Sequence, residues 1–247
     1  MNPYHADADD FYINVNLNTE LELPNGRDTV LHFFEQMRKA YPELRNLYTR
    51  ESGDLVLEGD KEEPAYRWVA LEPRRLCSGH VNPETPRSAY KQHELVLEMA
   101  PHILSLSTLD CEALDVLFGF DFTFTGNHDE VVVEALGLGA GLDGLLAIPG
   151  GRVVHYEPSI TFALEGDCQT QARLSIETRT SVSQVRSGDY ADDQISLYFT
   201  IRRYWRGEND KTFVEAFQCL RGVGEEIVSE VIIPRIVRPL AQAIASR

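Results

Sequence analysis

The sequence predicts an α+β fold: runs of antiparallel strands with helices packed on one face, following a β-α-β(n)-α plan that occurs twice. Three observations carry this expectation. In residues 11–23, Phe11, Ile13, Val15, Leu17, Leu21 and Leu23 alternate with polar residues, the period of a strand with one buried and one wet face. Residues 118–124 repeat the pattern with Phe118, Phe120, Phe122 and Phe124. Leu57-Glu58-Gly59-Asp60 returns as Leu164-Glu165-Gly166-Asp167 at a corresponding point in the order of elements.

Residues 1–10 are short and acidic (Asp7, Asp9, Asp10) and are expected to fray. After the first strand, Pro24-Asn25-Gly26 turns the chain and Asp28 is placed to cap a helix. That helix carries Val30, Leu31, Phe33, Phe34, Met37 and Ala40 at helical spacing and stops at Tyr41-Pro42. Strands over 54–58 and 66–72 flank a polar turn at 59–64, and a helix over 89–104 is disturbed at Pro101. This makes residues 11–108 a first repeat and 109–247 a second, packed together as one unit.

In the second repeat, laying Asp129 on Asp28 sets the four phenylalanines on Leu17, Thr19, Leu21 and Leu23, so the inward face keeps its phase. Residues 171–183 answer the alternating stretch at 66–71. A further strand over 194–205 holds Ile195, Leu197, Phe199 and Ile201 on one side, and a long helix from about 211 is kinked or broken at Pro234 and Pro239. This element order is similar to the duplicated saddle of TATA-binding-protein-like folds and, more distantly, to helix-grip folds. The likeness is one of order alone and implies no function.

Composition narrows the function classes. The 247 residues, 43% hydrophobic, supply a core for one large or two small domains. Lys plus Arg number 23 against 39 for Asp plus Glu, and a net charge of -16 repels a phosphate backbone, so no nucleic acid partner is expected. No apolar run approaches the ~18 residues of a membrane span and no leader pattern is present, so the expected setting is cytoplasmic with no membrane contact. Cys77, Cys111, Cys168 and Cys219 form no paired motif and are expected as free thiols.

Two motifs invite chemistry. Gly126-Asn127-His128-Asp129, after a hydrophobic strand, resembles a metal-binding block of the calcineurin-like metallophosphoesterases, which implies a phosphohydrolase with Asn127, His128 and Asp129 as metal ligands. A two-metal centre needs several more carboxylates and imidazoles. That family's companion blocks are missing: there is no Asp-x-His, neither Gly53-Asp54 nor Gly59-Asp60 has Asp three positions on, and His155 is the sole histidine further downstream. The same letters read as a helix start, with Asn127 as cap and Asp129 and Glu130 in the first turn. Gly139-Ala140-Gly141-Leu142-Asp143-Gly144 fits G-x-G-x-x-G with Glu165 beyond it, a nucleotide-binding alternative. Pro149-Gly150-Gly151 cuts off the helix such a fingerprint needs.

Weaker signals remain. Glu94, Glu98 and His102 recur every four residues on the second helix, Cys77-Ser78-Gly79-His80 groups nucleophile types, and Arg202-Arg203-Tyr204-Trp205 mixes cations with aromatics. The outward positions of the strands collect Asn14, Asn16, Asn18, Arg173, Ser175, Glu177, Arg179, Tyr198, Thr200 and Arg202, a hydrogen-bonding surface that is either a plain wet face or a recognition surface. The expected function is a non-enzymatic binding or assembly module without a cofactor. It would associate with itself or another protein, or take a small ligand, through a sheet face or the groove between repeats.

Overall fold

The computed structural model describes Tyr4, residues 7–205 and residues 211–247. Its first strand, β1 (Asp10–Thr19), turns Phe11, Ile13, Val15 and Leu17 inward and Tyr12, Asn14, Asn16 and Asn18 outward. It is shorter than its alternation predicts, and Leu21 is 63% exposed. Thr19 N–H donates to Arg74 O and Leu23 N–H to Pro73 O, drawing the backbone out of the ladder. The next helix, α1 (Arg27–Ala40), buries Val30, Phe33, Phe34 and Met37. Gly26, not Asp28, is its cap. Asp28 lies in the first turn, where its charge suits the helix dipole.

A meander comes next: β2 (Asn46–Thr49), β3 (Leu55–Glu58), β4 (Tyr66–Glu72) and β5 (Arg75–Val81). Helix α2 (Pro86–Ile103) begins earlier than expected because Pro86 fits the first turn, and it contains Pro101 near its end. Then come β6 (Cys111–Thr125), α3 (His128–Leu136), β7 (Ser159–Ala163) and β8 (Thr170–Glu177). Strand β8 ends before the predicted 183, since Ser181 and Gln184 form a capping box that starts α4 (Val182–Ser187). Strand β9 (Asp192–Tyr204) completes the sheet.

The two C-terminal prolines do not break the helix. From α5 (Phe213–Ile227) the chain runs through a π-helical stretch, Val228–Val237, into α6 (Arg238–Ala245). The wider turn accommodates Pro234, which has no N–H to donate, and Pro239 falls in the first turn of α6. No described helix is long and apolar enough to cross a membrane.

The nine strands among the described residues form one antiparallel sheet in the order β2-β3-β4-β5-β1-β6-β9-β8-β7. The fold is α+β. Helices α1, α2, α3, α5, α6 and the π-helical stretch join one core with the inward side chains of the sheet, Ile13, Leu57, Val69, Leu76, Phe118 and Phe199 among them. Helix α5 comes so near that a Cβ on Gly224 would lie 2.5 Å from the Phe118 ring. Among the described residues the opposite face carries one small apolar cluster, Val56, Ala70 and Cys77 with Tyr48 and Trp68. That face is open.

Candidate functional site

Strand registers arrange the open face in rows. One runs Cys77, Asn16, Asp115, Arg202, Gln171; the next Trp68, Gly79, Asn14, Leu117, Thr200, Arg173; a third Tyr66, Val81, Tyr12, Gly119, Tyr198, Ser175. Seven of the eight residues singled out from the sequence, Asn14, Asn16, Asn18, Arg173, Glu177, Tyr198 and Arg202, therefore share this face. Arg179 lies just beyond β8, where its guanidinium donates to Gln194 O and, at 3.1 Å, to Ser196 Oγ.

Among the described residues, the candidate side chains line two depressions on this face. The smaller, about 290 Å³, is lined by Asn16, Asp115, Leu117, Arg173, Thr200, Arg202 and their neighbours. At its floor Arg202 clasps Asp115 through Nε–Oδ1 at 2.6 Å and Nη2–Oδ2 at 2.7 Å, and Asn18 Nδ2 donates to the same carboxylate. The Asp115 hydrogen bonds hold the Arg202 guanidinium's pKa above its usual value. The pair is a fixed planar fork rather than a free charge. Arg173 is exposed and donates from Nε to Ser159 Oγ at 3.3 Å.

The larger depression, about 540 Å³, lies over β4, β1 and β6, lined by Tyr12, Asn14, Tyr66, Trp68, Asp10 and Asp121 and closed at one rim by residues of the β3–β4 turn. Its aromatics lie across glycines of adjacent strands: a Cβ on Gly79 would meet the Trp68 indole at 2.2 Å, and one on Gly119 the Tyr12 ring at 2.0 Å. Sequence reasoning misses these rings. The one signal for them is Tyr12 itself, an aromatic at an outward position of the clearest strand.

The other motifs have structural employment. Asn127 Oδ1 accepts from the N–H groups of Asp129 and Glu130 as the cap of α3, and its Nδ2 donates to Val153 O at 2.9 Å. His128 Nε2 lies 3.0 Å from Phe124 O and its Nδ1 accepts from Arg179 N–H, so both ring nitrogens are engaged. Asp129 Oδ1 accepts from Tyr156 N–H and the Thr178 hydroxyl, while the buried Oδ2 has no partner. Among the described residues no group of three or more His, Cys, Asp or Glu is placed to hold a metal.

The segment 131–136 preceding the G-x-G-x-x-G stretch is helical, and the stretch itself leads into a five-residue 3-10 turn, Asp143–Ala147. The strand, glycine loop and long helix of a dinucleotide site are not formed. Instead Leu138, Leu142, Leu145, Leu146 and Ile148 line an exposed apolar depression of about 440 Å³. Glu94 faces Arg221 and Gln218 of α5, and so belongs to helix packing.

Ser78 does have a histidine partner, though not the adjacent one. Its hydroxyl accepts from Gln92 Nε2 and lies 2.9 Å from His93 Nδ1. The pair is sealed, with Ser78 1% and His93 0% exposed, so no substrate reaches it. Burial drives the His93 pKa down to about 3, and the neutral ring serves the core. No protein family matches the chain, and no curated protein resembles it in sequence.

Proposed function

We propose that this protein is a non-enzymatic binding module that recognises a protein partner, in the first place a second copy of itself, through the open face of its sheet. One observation carries the reading: seven of the eight candidate polar residues share a face of the sheet opposite the one on which the described helices α1, α2, α3, α5 and α6 pack. Carboxylates at one part of the face (Asp10, Asp121) and Arg173 at another suit a self-complementary two-fold pair. Hydroxyl-radical footprinting of dilute and concentrated protein tests it. Tyr198, Tyr66 and Trp68 become protected on concentration; equal labelling at both concentrations refutes self-recognition by this face.

The chain is read as two related units, residues 11–108 and 109–247, whose first strands β1 and β6 pair at the centre of the sheet. A cytoplasmic setting accords with the four free cysteines. A net charge of -16 speaks against nucleic acid as the partner.

A second reading rests on β7, an edge strand exposed along its whole length with Ile160 58% and Phe162 40% exposed. Apolar edge strands template pairing between chains. Ile160→Lys separates the two readings, because it abolishes association only if the edge is the contact.

A further inference from the structure

The larger depression on the open face is built to attract positive charge. Its ionisable lining is Asp10, Asp121, Glu62 and Glu63 against one cation, Lys61, and that lysine is held by Glu58 at 3.0 Å. Asp10 and Asp121 are directly opposed in the β1–β6 register, an arrangement that is unfavourable when both are ionised. Asp10 accepts from Asn82 Nδ2 and Asp121 from the Tyr12 hydroxyl at 3.2 Å. Burial holds the Asp121 carboxyl above its usual range, although hydrogen bonds from Ser196 and Tyr12 and the nearby Arg179 charge favour its ionised form.

The remaining lining points to the same ligand class. Asn14 contributes a buried side-chain oxygen with no hydrogen-bond partner, an acceptor awaiting a donor. Tyr12, Tyr66 and Trp68 supply the aromatic surface that attracts cations. Tyr66 and Glu63 also line a neighbouring depression of about 490 Å³, where Glu43, Asp60 and Glu84 add carboxylates beside Arg45, and Arg67 is engaged by Glu43 and Gln92.

We propose that the depression between Tyr12, Tyr66, Trp68, Asp10 and Asp121 binds an organic cation, an alkylammonium or guanidinium group. This deepens the open-face reading and rests on it. The cation comes either from a basic side chain of a protein partner or from a free amine; the chemistry of recognition is shared, with carboxylates and the Asn14 oxygen accepting N–H bonds and the rings covering the alkyl stem.

Calorimetric titration with methylguanidinium, spermidine and a hexapeptide containing alternating arginines tests the proposal. At least one probe binds saturably, and more weakly as salt is raised. Asp121→Asn, which keeps an acceptor for Tyr12, weakens that binding about tenfold or more, Tyr66→Leu weakens it severalfold, and Glu226→Gln on α5 leaves it unchanged. Asp10→Asn serves as the second carboxylate variant if Asp121→Asn fails to fold by circular dichroism. Tighter binding of the hexapeptide than of spermidine assigns the site to protein side chains, and the reverse assigns it to free amines. No binding of any probe at concentrations on the order of 10 mM, or binding indifferent to both carboxylate variants, overturns the proposal. If the footprint of the open face persists on concentration while no cation binds, the cation site falls and the face reading stands.

Discussion

The Trp68 indole covers Gly79, its direct partner across β4 and β5, so closely that a Cβ at residue 79 would fall 2.2 Å from the ring. The contact ties an open-face aromatic to the one glycine of β5, and Trp68 itself lines the larger depression. Gly79→Ala is therefore expected to destabilise the protein by about 1–3 kcal/mol through displacement of the indole. Urea unfolding measures the loss, and in a Trp68→Leu background the same alanine is much less damaging. Equal cost in both backgrounds would show that the ring is not what excludes the side chain.

His80 and His93 give the stability a predictable pH dependence. Burial holds both folded-state pKa values down at about 3 from the ordinary 6.5, so the folded protein keeps them neutral. Below about pH 6.5 the unfolded chain takes up protons that the folded chain refuses, and stability falls as pH falls towards 3. Each histidine contributes about 1.4 kcal/mol per pH unit across that window and nothing above it. Urea midpoints between pH 7.5 and 5 check the sign, and His93→Gln removes its share of the slope. A slope unchanged by that substitution contradicts the assignment.

At the β6–α3 corner, Asn127→Ala removes the helix cap and the anchor to Val153 together, with an expected loss of about 1–2 kcal/mol. Manganese or zinc leaves the melting temperature unchanged, because both ring nitrogens of His128 are already hydrogen-bonded. A metal-induced rise in Tm that His128→Ala abolishes would reinstate the hydrolase reading.

Elements whose large apolar residues alternate with polar ones could be read from the chain alone. Strands β1 and β6 are of this kind: Phe11, Ile13 and Phe118, Phe120 face the core, and Asn14 and Asn16 fall on the opposite face by parity. Strand β5 could not be read this way. Its inward Ser78 and His80 look unfit for a core, and Ser78 is accepted there because Gln92 and His93 of α2 meet it with hydrogen bonds. Such partners are set by packing rather than by local pattern. Likewise, parity identifies the open-face polar residues, but the aromatic and glycine pairs depend on strand register: Tyr12 over Gly119 and Trp68 over Gly79 become visible only once β6 and β5 are aligned beside their neighbours. The start of α4 is signalled by Ser181 and Gln184 but masked by an apparent strand alternation.

Light scattering coupled to size-exclusion chromatography, on wild type and an Arg173→Glu/Tyr198→Ala double variant, tests recognition through the open face most directly. Both substitutions alter outward side chains of β8 and β9 and leave the core intact. Wild-type protein is expected to associate as concentration rises, the double variant to remain monomeric with an unchanged unfolding midpoint, and Ile160→Lys to associate like wild type. A wild-type protein that stays monomeric, or a double variant that associates equally well, contradicts the account.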